Sequence, residues 1–510
     1  MPNSKSLKRK TTTGLFWSFI DLSANQGIQF IIQIILARLL LPEHFGVIGM
    51  IIVFIAISNS IVDSGFSQAL IRDQDTTQED YSTVFHFNLL MAITMYVIIF
   101  ISANPISIFF GEPQLINIIK VISLVLIINA LGIIQRVMLT KKVDFKTITK
   151  VSLIAVIMSG SVTITMAVLG YGIWCLVVNT ILMSFIQTLL LWFFNKWVPS
   201  MKFNMHSFKK YFKFGYKLLI AGMIDTFYHN LFYVIIGRFY STVQLGYYTN
   251  AVKFSDASSQ VISSVVQRVS YPLLSSIQDD EERLKSGFKK IIKSSAFINF
   301  PLMIGLASVA TPLFSILLGE KWMPSVIYFQ LLCLAGILYP LHAINLNILQ
   351  VKGRSDLFLL IEVIKCFVLT ILIALSLLFQ LGIIGLIWAA VINSYIALYI
   401  NTYFSAREID YSAKNQLKDI LPMLLISIFM GIVVYLVGSV LPDNHFIKLI
   451  CQISIGAVVY IVACKAVKIQ ELDTIYRIVQ DLLKKYKLVP FNKKRLDNSK
   501  YINKEIERIK

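Results

Sequence analysis

Residues 151–191 contain not one charged side chain, and apolar runs nearly as clean recur from one end of the chain to the other. In hydrocarbon every backbone amide and carbonyl must find its partner within the protein, so such a run is confined to helix. At 1.5 Å rise per residue, ~20 residues cross a ~30 Å hydrocarbon core. The 151–191 stretch is therefore two crossings, broken at Gly170-Tyr171-Gly172. Read this way, the chain is expected to have about fourteen spans: 14–37, 46–70, 82–108, 115–139, 148–169, 172–195, 212–237, 247–275, 287–317, 325–350, 355–379, 382–405, 418–440 and 446–467. The composition agrees, because 56% apolar residues and only 15% charged ones lie outside the soluble globular range. The expected fold class is an all-α polytopic membrane protein.

The net charge of +19 is spread over short connecting segments and the two ends of the chain. That distribution argues against a nucleic-acid partner and matches the enrichment of Lys and Arg in cytoplasmic loops. The cluster Lys5, Lys8, Arg9 and Lys10 precedes an apolar segment too long for a signal-peptide core, so the N-terminus is expected in the cytoplasm. An even number of spans returns the C-terminus to the same side. Lys141, Lys142, Lys146, Lys150, Lys202, Lys209, Lys210 and Lys213 all fall there, whereas the opposite span ends hold Arg38, Lys120, Arg238, Lys321 and Lys448. Beyond Lys468, Ile469, Leu472, Ile475, Val479 and Leu482 recur at helical spacing before Lys484, Lys485 and Lys487. This is the pattern of an amphipathic helix on an anionic leaflet.

Signatures of catalysis are missing from the sequence. There is no G-x-x-x-x-G-K-[ST] loop for nucleotide phosphates and no H-E-x-x-H zinc helix. The five cysteines (Cys175, Cys333, Cys366, Cys451, Cys464) lie in apolar segments without metal-ligand spacing, so no metal or other cofactor is expected. Asp73-Gln74-Asp75 matches a glycosyltransferase D-x-D, but the loop is too short to carry a nucleotide-binding domain, and the expectation is a solvated turn. Asp279, Asp280, Glu281 and Glu282 are read in the same way.

The spans repeat. Arg38 to Gly46 closes the first span and opens the second, and Arg238 to Gly246 repeats the arrangement two hundred positions later. Pro105 and Gly111-Glu112 answer to Pro312 and Gly319-Glu320; Lys142-Val143-Asp144 to Lys352-Gly353-Arg354; Gly170-Tyr171-Gly172 with Asn179 to Gly382 and Gly385 with Asn393. Six spans per repeat is an even number, so the two copies share one orientation and are related by an axis along the membrane normal. A binding site is expected between them near the midplane. The expected organisation is an N-lobe (1–195), an inter-lobe linker (196–211), a C-lobe (212–405), two accessory spans (406–467) and a basic tail (468–510).

The sequence Arg38-Leu-Leu-x-Pro-x-x-Phe-Gly, the segment Asp63-Ser-Gly-Phe-Ser-Gln-Ala-Leu, and Ile236-Gly237-Arg238-Phe239-Tyr240 with Leu245-Gly246-Tyr247-Tyr248 resemble the Wzx-type polysaccharide flippases. The branch is the colanic-acid/teichuronic-acid exporter type, within the superfamily that includes multidrug (MATE) exporters and the lipid II flippase. The resemblance spans most of the fourteen segments, and its motifs are structural rather than catalytic. It implies two six-helix lobes in a V, alternating access, and transport of an undecaprenyl-diphosphate-linked oligosaccharide across the bacterial cytoplasmic membrane. Membrane lipids and glycan-assembly proteins, a polymerase or glycosyltransferases, are the further partners it implies.

Such a cargo demands polar and cationic side chains on inward helix faces. Asp21, Asn25, Gln29 and Gln33 recur every fourth residue of the first span and share a face. Asp225, His229 and Tyr233 do the same in the seventh, with Asn230 beside them. The amides could equally serve interhelical hydrogen bonds; buried carboxylates cost more and favour an aqueous cavity. A carboxylate there could also take a coupling proton or sodium ion. For the diphosphate the candidate cations are Arg38, Arg238, Lys253, Arg136 and Arg268, guanidinium being suited to phosphate oxygens. Arg38 and Arg238 could instead anchor helix ends at the headgroups. Lys253 with Asp256, and Glu362 with Lys365, have the i,i+3 spacing of internal ion pairs. The alternative readings are a MATE-like cation-coupled exporter of small molecules and, from another class, a membrane polysaccharide polymerase.

Overall fold

The computed structural model describes residues 4–442 and 444–473, which form helices and turns without a strand. In order the helices are α1 (Ser4–Leu39), α2 (Pro42–Asp63), α3 (Phe66–Arg72), α4 (Gln78–Phe110), α5 (Leu115–Ile122), α6 (Leu124–Lys141), α7 (Phe145–Val168), α8 (Trp174–Asn195) and α9 (Met205–Phe239). They continue as α10 (Thr242–Ser276), α11 (Glu281–Ser308), α12 (Ala310–Leu317), α13 (Ser325–Gly336), α14 (Tyr339–Val351), α15 (Ser355–Leu378), α16 (Gly382–Ile409), α17 (Ala413–Val440) and α18 (His445–Ala466). The short members α3, α5, α12 and α13 follow or precede a partner after a one- or two-residue break, so each pair crosses as one kinked rod.

Among the described residues, 12 helices are long and apolar enough to cross a membrane. The expected count of fourteen also included α1 and α10, which fall short of that criterion for a physical reason. α10 carries Asn250, Lys253, Ser255, Asp256, Ser258 and Ser259 within three turns, and α1 carries a basic cluster in its first turns and four polar residues along one face. Both helices trade apolar surface for a polar stripe, and both are about 50 Å long at 1.5 Å per residue.

The internal repeat is written into the backbone. Gly111 and Gly319, which end the matching rods, both adopt positive φ (72° and 91°). Val143 (57°) answers to Gly353 (72°), and the turn at Gly170 (83°) and Gly172 (57°) answers to Gln380 (51°) and Gly382 (69°) rather than to Gly382 and Gly385 as the spacing suggested. Val143 and Gln380 take the left-handed conformation without being glycine, at a cost of order 1 kcal/mol. The turn geometry is thus retained where the residue type is not. One correspondence fails. α2 breaks at Ser64-Gly65 into α3, whereas α10 runs straight on. At the break Gly65 lies against Gly215 of α9, where a Cβ on Gly65 would collide with the Gly215 carbonyl and one on Gly215 with the Ser64 carbonyl.

Part of the packing follows the repeat, as α7 on α8 and α4 on α6 answer to α15 on α16 and α11 on α13 and α14; but α1 lies along α7, whereas among the described residues α9 makes no comparable contact with α15. Between halves the principal contacts are α2 with α10 and α2 with α9; α9 also reaches α3 and α4. α17 and α18 pack on each other and on α11. Of the expected tail helix, Ile469 and Leu472 lie against the core and Glu471 pairs with Lys293 at 2.8 Å; its remainder, including Lys484, Lys485 and Lys487, lies outside the described residues.

The lysine-rich end is tied by ion pairs. The Asp73 carboxylate accepts from Lys210 Nζ at 2.5 Å and from the Tyr211 hydroxyl at 2.8 Å, which hold its pKa down to about 2. Asp73 is therefore a tie between the α3–α4 loop and the start of α9, not the freely solvated turn residue the sequence suggested. Asp280 likewise does structural duty, accepting from the Arg283 amide at 3.0 Å as the N-cap of α11. Lys289 with Asp419 (2.8 Å) and Arg354 with Glu408 (2.7 Å) tie the second half at the same end.

Candidate functional site

A cavity of about 140 Å³ lies between the two halves, walled by α1, α2, α7, α8 and α10. Its polar lining comes from Gln29 and Gln33 of α1, Ser159 of α7, Asn179 and Thr180 of α8, and Thr249 and Lys253 of α10. Lys253 is the one cation among its described lining residues. It lies eleven residues inside the α10 terminus, hence about 16 Å below it, and Gln33 is about 9 Å below the end of α1.

Lys253 Nζ donates to Gln33 Oε1 at 3.2 Å, and Gln33 Nε2 donates to Asn250 Oδ1 at 2.6 Å. The chain Lys253–Gln33–Asn250 spans the interface between α1 and α10. It aligns Gln33 so that its carbonyl meets the cation. The ammonium also lies 5.9 Å from the centre of the Phe45 ring on α2. The internal pair with Asp256 offered by the sequence does not form, so among the described residues Lys253 has no carboxylate partner. Its charge is available to an anion. Asn250 is fully buried and its Nδ2 has no partner in the protein, which leaves a donor beside the cavity.

The other candidates separate into groups. Asn25 accepts from Gln29 Nε2 at 2.9 Å, extending the α1 row. Asp21 and Arg268 have side chains outside the described residues. Asp225 and His229 pair with each other at 3.5 Å on an open face of α9, with 70% and 79% of their side chains exposed, and do not line the cavity. The helix they occupy packs on α2 instead, so α8 and α10 supply the wall opposite α1. Asn230 donates back to Thr226 O of its own helix at 2.8 Å. Asp256 lies within electrostatic reach of His229. Glu362 and Lys365 form the expected i,i+3 pair at 2.5 Å. Arg136 meets Gln187 at 3.1 Å.

Arg38 and Arg238 lie at the far end of the bundle from the lysines, each on a helix terminus of the opposite half. Arg38 donates to Leu317 O at 2.8 Å and also to Ile316 O, at the end of α12. Arg238 donates to Phe109 O at 2.5 Å, at the end of α4, with its guanidinium 5.1 Å from the Phe109 ring centre. Between them α2 and α10 cross at Gly46 and Gly246. A Cβ on Gly46 would overlap the Thr242 carbonyl, and one on Gly246 would overlap the Pro42 carbonyl. Trp322, fully buried, closes the floor of this crossing between Phe45 and Tyr247 and donates to Ala37 O at 2.8 Å.

Sequence reasoning missed Asn250, Asn179 and Thr249. Thr249 and Asn250 are neighbours in the polar stripe of α10 and Asn179 served only as a marker of the repeat; the packing of α1, α8 and α10 brings them to the cavity.

The chain is thus a multi-pass helical bundle of two halves with a polar cavity at their interface. A solved structure titled lipid II flippase MurJ, inward closed conformation, matches it with a TM-score of 0.73 at 17% identity, covering 89% of this chain and 98% of that one. The chain belongs to the polysaccharide biosynthesis protein family, whose model matches residues 35–327. It is 26% identical to the teichuronic acid biosynthesis protein TuaB of Bacillus subtilis (strain 168), over 89% of this chain and 95% of that protein. It is also 26% identical to the lipopolysaccharide biosynthesis protein WzxC of Escherichia coli (strain K12), over 78% and 81% of the two chains.

Proposed function

We propose that this chain carries a polyprenyl-diphosphate-linked oligosaccharide from the cytoplasmic to the outer leaflet of a bacterial cytoplasmic membrane, acting as a transporter rather than an enzyme. The halves are residues 1–195 and 212–405, joined by the linker 196–211. Residues 406–467 are accessory, and the N-terminus and the tail 468–510 are cytoplasmic. The lysine-rich end of the bundle is then the cytoplasmic one, as the basic loops require, and the arginine end faces outward.

The observation that carries this reading is Lys253, a cation without a carboxylate partner among the described residues, in a membrane-embedded cavity at the interface of the halves. Burying an unpaired charge is costly, and an anion in the cavity offsets that cost. A diphosphate supplies the anion. The amides and hydroxyls of Gln29, Gln33, Asn179, Thr180 and Thr249 offer the donors and acceptors that sugar hydroxyls use, while the prenyl chain remains in the bilayer. The cavity as it stands is far smaller than an oligosaccharide, which fits a state in which the halves are closed together at the outward end. The exposed Asp225–His229 pair with Asp256 nearby is the place we assign to a coupling proton or sodium ion. Membrane lipids surround the protein, and glycan-assembly proteins, a polymerase or glycosyltransferases, hand over and receive the cargo.

Deleting the gene in its host is expected to make one prenyl-diphosphate-linked glycan accumulate on the inner leaflet while the corresponding surface polymer disappears. Mass spectrometry of extracted lipids identifies it. Unchanged lipid-linked glycans together with new sensitivity to cationic dyes would contradict the proposal and point to a small-molecule exporter.

A further inference from the structure

We propose that Arg38 and Arg238 are the two halves of one latch that holds the outward end of the bundle shut, each guanidinium clasping the C-terminal carbonyls of a helix in the opposite half. The inference rests on the two-halved transporter reading, but not on the identity of the cargo.

Four observations lead to it. First, the two arginines are repeat mates, and so are their targets: Phe109 and Leu317 each lie just before the positive-φ glycine, Gly111 or Gly319, that ends the third rod of a half. Each bond therefore crosses from one half to the other, and the pair obeys the same axis as the repeat. Second, the acceptors are the last carbonyls of helices. These have no amide partner within the helix and carry the negative end of its dipole, so a guanidinium is the side chain suited to them. An arginine merely reaching for lipid headgroups has no reason to find such carbonyls twice.

Third, the connection is reciprocated. Lys321, in the turn after α12, donates to Arg38 O and Leu40 O at 2.7 Å each, so the ends of α1 and α12 cap one another. On the other side the Thr242 hydroxyl, at the start of α10, donates to the Glu112 carboxylate in the turn after α4. Fourth, the latch sits beside a place where backbones of the two halves touch through paired glycines, the Gly46–Gly246 crossing. That crossing gives close fit without directional bonds, whereas the arginines give directional bonds at its two flanks. Separating the halves at this end must break both clasps in one movement. When it does, two guanidinium groups and two sets of helix-end carbonyls become exposed together at the outward mouth.

A two-state latch and a pair of headgroup anchors differ in one measurable respect. If both arginines bias the same closed-to-open equilibrium, their effects on the open-to-closed ratio multiply. If they are local anchors, neither moves it. The measurement is the distance between spin labels at Tyr171→Cys and Leu381→Cys, in the matching outward turns of the two halves, with the five native cysteines replaced. It is made by pulsed electron resonance on purified protein without cargo. Arg38→Gln and Arg238→Gln are each expected to raise the open-to-closed ratio about tenfold, the value for one partly exposed charge-assisted hydrogen bond group. The double variant is expected to raise it about a hundredfold, close to the product. Ratios within twofold of the parent in all three proteins would overturn the latch, as would a shift from one arginine alone. If the double variant does not fold, as judged by size-exclusion elution, the two single variants decide. Because cargo is absent, the latch can fail while the glycan reading stands, and the reverse holds for the gene deletion.

Discussion

Lys253→Met is expected to abolish glycan export, lowering it at least about 100-fold, while the protein is made and inserted at normal levels. Methionine keeps most of the length and the flexibility of the side chain and removes the ammonium, with its charge and its hydrogen-bond donors. In the folded protein without cargo the substitution is mild, since Lys253 gives up one hydrogen bond to Gln33 and a distant contact with the Phe45 ring. With a diphosphate in the cavity the loss is large. A buried anion stripped of its countercharge forfeits about 3–5 kcal/mol, two to four powers of ten in any binding-dependent rate. Lys253→Arg restores the charge in a bulkier, planar form and is expected to recover part of the export. Gln33→Leu is expected to fall between parent and Lys253→Met, because it unseats the lysine and orphans Asn250 without removing the cation. Export is read as surface polymer per cell, against protein level in the membrane. Normal export by Lys253→Met would remove this cavity from the pathway.

Gly246→Ala is also expected to damage export, for a wholly different reason. The added methyl would overlap the Pro42 carbonyl, and that carbonyl is backbone at the first turn of α2, with no rotamer to move aside. Gly46→Ala meets the Thr242 carbonyl in the same way. Either substitution forces α2 and α10 apart where they cross, so the outward end cannot close fully. Overpacking of this kind costs about 1–3 kcal/mol, all of it levied on the closed state. Export is expected to fall at least about fivefold, and labels at residues 171 and 381 to move apart as in the arginine variants. Gly27→Ala is the control. It lies on α1 with no atom within 4 Å of the added methyl, and the same change there is expected to leave export unaltered. Equal effects at Gly27 and Gly246 would show that helix propensity rather than contact governs these sites.

The large features were legible because they are periodic or repeated. Apolar runs set the rods, and the arginine-to-glycine motif and its echo set the two halves. The positive-φ turns then appeared at matching places even where valine or glutamine stands for glycine. What stayed hidden depends on which helix meets which. The α1 row of Asn25, Gln29 and Gln33 was readable at four-residue spacing, but its partner was sought on α9, the repeat mate of α1. The fold turns α9 toward α2 and places α10 opposite instead, so Asn250 and Thr249 reach the site while Asp225 and His229 remain on an open face. Lys253 could be read either as a cation for the diphosphate or as half of an ion pair with Asp256. Spacing permits that contact, but the hydrogen bond goes to Gln33 of another helix instead. Arg38 and Arg238 were visible as mates, but their acceptors are backbone carbonyls, which leave no trace in side-chain patterns.

The central claim is that the cavity between the halves conducts a diphosphate-bearing lipid from one leaflet to the other. It is tested most directly with purified protein in sealed vesicles holding a fluorescent prenyl-diphosphate-linked glycan in both leaflets, with a membrane-impermeant reductant that irreversibly bleaches the fluorophore added outside. The account predicts that the protected fraction falls toward zero within minutes with the parent protein and stays near one half with Lys253→Met. A protected fraction that stays near one half with the parent, or that falls equally fast with both proteins, would contradict it.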